Sequence, residues 1–154
     1  MRRQTSATLE ELGRDIFELT KFTWLATRRT RHETQYDLSE TEFLVLDALE
    51  QRQCLTVGEL QRRIRVLPAQ MSRIVKSLET RHERPLIACA INAHDKRKVD
   101  VRLTRVGRKA AEAFRRRKIG MAAAALDRLS QSDLESLDRI VRLIRKAMDS
   151  MASA

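Results

Sequence analysis

The sequence predicts a mainly α-helical fold with one small β-hairpin wing, a winged helix-turn-helix. Its expected order is helix, helix, brief strand, helix, helix, two strands, helix, helix. Three observations predict it. Only 4 Gly and 2 Pro interrupt the 154 residues, which favours long helices joined by short connections. Two short helical patterns, about 57–65 and 68–79, are split by the turn Val66-Leu67 with Pro68 in a first turn, where helices tolerate it. Finally, the run from Leu86 to Thr104 reads as two strands around a charged tip, the second alternating Val99, Val101 and Leu103 against Asp100 and Arg102.

The elements follow in order. A first helix over about 8–31 carries Leu9, Leu12, Ile16 and Leu19 as an apolar stripe, extended by Phe22, Trp24 and Leu25. Tyr36 and Asp37 fall in a linker. Ser39 with Glu42, Thr56 with Glu59, and Ser132 with Glu135 each have the spacing of a capping box and mark three helix starts. The second helix is expected to bury Phe43, Leu44, Leu46 and Leu49 in some combination, and Leu55–Val57 to form a brief strand or turn. In the fourth helix Met71, Ile74, Val75 and Leu78 fall at i, i+3, i+4, i+7 and define the buried face. Thr104 ends the second hairpin strand and can cap a long helix over about 105–129. The last helix, about 133–148, has Leu134, Leu137, Ile140, Val141, Ile144 and Met148 on one side, more apolar surface than a lone terminal helix needs.

The length fits one domain spanning 1–154. With 31 Lys plus Arg against 21 Asp plus Glu, the net charge is +10, which favours a polyanionic partner. No apolar run is long enough to span a bilayer, and Met1–Ala7 has no apolar signal core, so a cytoplasmic protein is expected. Cys54 and Cys89 form no CxxC pattern and read as reduced thiols, Cys89 small and buried, Cys54 beside Arg52 somewhat activated. His32, His82 and His94 lack metal-ligand spacing with them, and no nucleophile elbow, phosphate loop or metalloprotease helix is present. Neither an enzyme nor a cofactor or metal site is expected.

Chemistry concentrates in two places. Once the buried face of the fourth helix is assigned, Ala69, Gln70, Ser72, Arg73, Lys76 and Ser77 are expected to point outward. Arg73 suits a guanine, Gln70 an adenine, and Ser72 permits close approach. In the hairpin tip, Arg97 suits a narrow minor groove and Lys96 and Lys98 suit phosphates. Asp95 would repel DNA and is expected instead to orient Arg97 or another cation. Arg62, Arg63 and Arg65 flank the turn and are expected to meet phosphates. The run Arg115–Lys118 spans a full helical turn and reads as solvated surface.

These residues resemble the multiple antibiotic resistance regulator (MarR) family of winged helix-turn-helix regulators. The similarity covers about 38–107 and rests on Asp95-x-Arg97, on Val101-x-Leu103-Thr104-x-x-Gly107, and on the fourth helix Leu67–Glu79 in register with the family's recognition helix. The chain departs from the pattern at Thr80–Pro85, which lacks the family's usual Gly. The resemblance implies a homodimer held by helices at 8–34 and 105–149, a DNA-binding lobe at 38–107, and small aromatic ligands that weaken DNA binding. It also implies a ligand pocket, for which Phe17, Trp24 and Phe43 are candidate lining. The expected function is a sequence-specific, double-stranded-DNA-binding transcription regulator, a repressor on a pseudo-palindromic operator. The alternatives are a partner-binding helical adaptor without sequence preference and a redox-sensing regulator acting through Cys54.

Overall fold

The computed structural model describes residues 2–29 and 36–152, with side chains described for 8–21 and 36–151. The elements are α1 (Arg2–Arg29), α2 (Glu40–Arg52), β1 (Cys54–Thr56), α3 (Val57–Ile64), α4 (Pro68–Thr80), β2 (Ile87–Ile91), β3 (Val99–Leu103), α5 (Arg105–Leu126) and α6 (Gln131–Ala152). This is the expected order, and the brief strand exists. Two compact units divide the chain, residues 1–115 and 116–154, and each is described by itself.

Within the first unit the three strands form one antiparallel sheet in the order β1-β3-β2, with Leu55 opposite Val101 and Cys89 opposite Val101 on the other side. The core is aliphatic. Leu46 and Leu49 of α2, Leu60 of α3, Met71 and Leu78 of α4, Leu86 and Ile87 at the start of the hairpin, and Val101 are fully buried. Met71, Ile74, Val75 and Leu78 form the buried face of α4 as the periodicity requires. In α2 the expectation needs correction at one position. Phe43–Leu46 is continuously apolar and carries no period of its own; Val45 and Leu46 turn inward, while Leu44 is exposed.

Hydroxyl caps set the helix starts. Ser39 and Thr56 each make both bonds of a capping box, with Glu42 and with Glu59. Thr104 Oγ1 accepts from Gly107 N at 3.0 Å and sits within bonding distance of the carbonyls of Pro85 and Leu86. This draws α5 so close to the hairpin that a Cβ on Gly107 would lie 1.9 Å from the Leu86 carbonyl oxygen, so only glycine fits there. In the second unit the expected cap at Ser132 is corrected. Ser130 caps α6, accepting from Asp133 N at 3.2 Å and donating to Asp133 Oδ2 at 2.5 Å. Two hydroxyls each followed three residues later by an acid made the sequence degenerate here.

Glu42 does more than cap. One carboxylate oxygen accepts from Ser39 N at 2.8 Å and from Arg81 Nη2 at 3.2 Å; the other accepts from Ser77 Oγ at 2.7 Å. Arg81 also donates to the Asp37 carbonyl. A single buried carboxylate thus joins the start of α2 to the end of α4. Burial pushes the Glu42 carboxyl up, but the Ser39 backbone bond, the Ser77 and Ser39 hydroxyls and Arg81 outweigh it, and it sits below the ordinary carboxylate value.

Removing the charge while keeping the shape tests this joint. Glu42→Gln should lower folding stability by about 1–3 kcal/mol at neutral pH, measured by urea denaturation. Because the folded-state value is depressed, the charge contributes fully above the unfolded-state value and its contribution is lost as pH falls through the folded one. The gap between wild type and E42Q should therefore close in acid; a gap that is constant with pH would mean the carboxylate charge is not what holds the joint.

Candidate nucleic-acid interface

The helix-turn-helix is built by α3 and α4. Arg65 closes α3 in the left-handed conformation, φ 59°, its N–H bonded to the Gln61 carbonyl at 2.9 Å. Val66 tucks partly into the core, and Pro68 at the first position fixes the start of α4. With its apolar face buried, α4 leaves Ala69, Gln70, Ser72, Arg73 and Lys76 exposed on the opposite side, whereas Ser77, expected with them, is half-buried because its hydroxyl donates to Glu42.

The hairpin tip is ordered by two acidic or amide side chains. Asn92 Oδ1 accepts from the backbone N–H groups of His94 and Asp95, both at 2.9 Å, while Asn92 Nδ2 donates to Asp100 Oδ1 at 2.8 Å. Asp95 Oδ1 accepts from the backbone N–H of Arg97 at 3.1 Å and from its Nε at 3.3 Å, and Oδ2 pairs with Lys98 Nζ at 3.4 Å. The Arg97 backbone bond, then its side chain and Lys98, hold the Asp95 carboxyl below the usual carboxylate range. The aspartate is a clamp on two cations, as the sequence suggested. Arg97 still keeps 93% of its side-chain surface exposed, so the clamp aims the guanidinium without consuming it.

These elements face one cleft of about 770 Å³. Arg62 of α3, Ser72 and Lys76 of α4, and Arg97 and Lys98 of the tip all line it, with Val75, Cys89 and Val99 forming apolar floor and Glu79 the acidic side chain among them. Five of the expected DNA-facing residues are thus brought together around a concave, largely apolar surface that carries four cations, which suit a phosphate backbone. Gln70, Ala69, Arg73 and Lys96 are exposed outside its lining.

Other candidates fall elsewhere. Arg63 turns back onto α2, donating to Gln51 Oε1 at 2.5 Å, while Gln51 in turn donates to Asp47. Arg65 is exposed at the turn. Phe43 stacks on Phe114, ring centroids 4.5 Å apart, with the Arg115 guanidinium 5.8 Å above it. Phe17 is exposed on α1 beside Lys21, and the side chain of Trp24 lies outside the described residues. Arg115 corrects the reading of its run as solvated surface. It donates to Asp47 and Glu50 of α2, both at 2.8 Å, and ties the middle of α5 to α2. Asn92 and this arginine cluster escaped sequence reasoning; an Asn directly before a turn was the available signal for the first, and nothing local marked the second.

Neither cysteine lies on the outward face of α4, though Cys89 of β2 lines the cleft beside it. Cys54 is half-buried on β1, opposite Arg102. Burial, and then Glu79, push the Cys89 thiol up to about 11, so it stays protonated and a poor nucleophile at neutral pH. No cluster of metal-ligating residues occurs among the described residues, and none of their helices is long and apolar enough to cross a membrane.

Comparison with known proteins places this geometry. Residues 38–99 match the model of the MarR family. A MarR family protein from Bacillus stearothermophilus has a similar structure, with TM-score 0.75 and 23% identity over 97% of this chain and 99% of that one. MepR, a transcription regulator of the Staphylococcus aureus multidrug efflux pump MepA, aligns with TM-score 0.69 and 21% identity over 89% and 96% of the two chains. Bordetella bronchiseptica BpsR, whose DNA binding is regulated by 6-hydroxynicotinic acid, aligns with TM-score 0.56 and 20% identity over 85% and 98%. At these identities the structural likeness shows the fold. No curated protein sequence matches at significant similarity.

The clamp at the tip can be tested against simple charge counting. Asp95→Ala removes a negative charge from a cationic surface, which by Coulomb attraction alone should strengthen binding to duplex DNA. We expect the opposite, a several-fold weaker affinity by fluorescence anisotropy, because Arg97 and Lys98 lose the group that aims them. Tighter binding by the variant would show that Asp95 merely repels DNA.

Proposed function

We propose, from the match of residues 38–99 to the model of the MarR family, that the chain is a homodimeric, sequence-specific DNA-binding transcription regulator, a repressor released by a small aromatic ligand. One observation carries the reading. The outward face of α4 and the clamped cations of the wing project beside one cleft, so a helix and a hairpin tip can engage the same duplex. In this reading α4 enters the major groove, with Arg73 and Gln70 on base edges, while Arg97 reaches the flanking minor groove. Arg62, Lys76, Lys96 and Lys98 hold phosphates.

Dimerisation is supported by apolar surface left open on the terminal helices. On α1, Leu9, Leu12, Ile16, Phe17 and Leu19 are all more than half exposed. On α6, Ile140, Val141, Ile144 and Met148 expose between 43% and 64% of their surface. Apolar stripes of this length are normally covered, and a second copy of the chain is the occupant we propose. Two-fold symmetry then dictates a pseudo-palindromic operator with half-sites roughly 34–36 Å apart. A ligand that binds one spacing of the two reading helices better than another lowers DNA affinity by linkage. The aromatic acid that regulates BpsR supports that ligand class.

Selecting binding sites from a random duplex pool with purified protein tests the whole reading. A two-fold symmetric consensus should emerge, sedimentation should show two chains per operator, and aromatic acids should release the complex. The absence of any enriched sequence would support the adaptor reading instead. On the selected operator, Arg73→Ala should cost roughly 1–3 kcal/mol while barely changing affinity for random duplex. Lys96→Ala should weaken both alike and flatten the salt dependence by about one unit of slope. Equal losses on both DNAs for Arg73→Ala would remove that side chain from sequence reading.

A further inference from the structure

We infer that Leu67, at the N-cap of α4, reads a thymine methyl group and so contributes sequence specificity by apolar contact; the inference rests on the DNA-binding reading above. Two independent features of the chain single this residue out. The first is how helices begin. Ser39 caps α2, Thr56 caps α3, Thr104 caps α5 and Ser130 caps α6, each hydroxyl accepting from a backbone N–H of the first turn. Helix α4 alone among these five starts on a residue with no side-chain cap bond. Leucine is among the poorest N-cap residues, and a Ser or Thr there would satisfy an orphan amide.

The second feature is exposure. Leu67 keeps 73% of its surface open, more than any core-facing role allows, although Val66 beside it packs against the core. Its carbonyl accepts from Met71 N at 3.0 Å, so the backbone is engaged as the helix start while the side chain points away from the lobe. A large apolar group on the open end of a helix, in a position where a polar one would stabilise the fold, is locally unfavourable on both counts.

The place supplies the explanation. Helix-turn-helix proteins contact base edges with the N-terminal residues of the recognition helix. Leu67 precedes Pro68, Ala69 and Gln70, all exposed, and Ser72 Oγ is folded down onto the Pro68 carbonyl at 3.1 Å, which keeps the first turn slim. Of the atoms a major groove presents, the thymine C5-methyl is the one an aliphatic side chain can recognise, since all others are hydrogen-bonding groups. A hydroxyl at this position would instead fold inward onto the amides, as in the other four helices, and leave the groove unread.

Replacing thymine by deoxyuridine deletes this methyl and nothing else. The experiment scans each dT of the selected operator with dU and measures affinity for wild type, Leu67→Ser and Leu67→Ile. For wild type, one position in each half-site should lose about four-fold per half-site, the effect of one buried methyl. Leu67→Ser should be insensitive at that position, retain sensitivity elsewhere, and melt about 2–4 °C higher because it gains a cap; Leu67→Ile should keep the sensitivity. If Leu67→Ser does not fold, Leu67→Ala serves the same comparison. A scan with no sensitive position, or one whose sensitive position persists in the Ser and Ala variants, overturns the inference while leaving the DNA-binding reading intact. Failure to obtain any operator overturns both.

Discussion

The placement of α4 depends on one buried carboxylate. Glu42 begins as a local device, the third residue of a capping box, and becomes a long-range one because its two oxygens are shared. Ser39 and Arg81 take one and Ser77 takes the other. Ser77 lies on the inner side of α4, one residue before the buried Leu78, so the bond fixes the rotation of α4 as well as its position. That rotation decides which five side chains face outward. An ion buried without partners would be destabilising by several kcal/mol; here the desolvation is offset by three donors besides the capping hydroxyl, and the group stays ionised.

The same joint accounts for how the chain turns after α4 without a glycine. No glycine follows the helix, and its C-cap residue Arg81 stays in the right-handed helical region. Arg81 makes the closure instead. Its guanidinium reaches the Asp37 carbonyl and Glu42, while Leu86 N returns to the Leu78 carbonyl at 2.9 Å. Beyond it, the Leu86 carbonyl receives both Thr104 N–H and the Thr104 hydroxyl, with Gly107 pressed against it. Hairpin and α5 therefore hang from the chain segment that the joint has already set.

Legibility in the sequence followed the range of the interactions. Capping boxes at Ser39 and Thr56, the buried stripe of α4 and the clamp at Asp95 all act within four residues, and each was readable from spacing. Where spacing was ambiguous the reading failed in a definite way. Ser130 and Ser132 both offered caps, and Ser130 took the role with Asp133. In Phe43–Leu46, an unbroken apolar run hid which residue turns outward. Contacts spanning dozens of residues left no local trace, as with Arg115 on Asp47 and Glu50, or Arg81 on Glu42. The wing was partly legible. Its alternation predicted Val101 inward, but Ile91 and Val99, paired across the strands, project past the core and remain exposed.

A net charge of +10 says little until the cations are sorted by what holds them. Arg81 and Arg115 are committed to carboxylates between elements, Arg63 to Gln51, and Arg142 to Asp138 four residues away on α6. Those residues position helices or solvate them; a carboxylate partner offsets the charge of Arg81, Arg115 and Arg142, while Gln51 only fixes Arg63 in place. Beside the cleft lie Arg62, Lys76, Arg97 and Lys98; Glu59 interacts with Arg62 and Lys98 and Glu79 lines the same cleft, while Asp95 holds Arg97 and Lys98 and leaves Arg97 93% exposed. The elements that meet at the cleft themselves carry more basic than acidic residues, Arg73 and Lys76 against Glu79 on α4, and Lys96, Arg97, Lys98 and Arg102 against Asp95 and Asp100 on the wing. Arg81 and Arg115 are instead drawn inward by carboxylates of α2, the same means by which α4 is set.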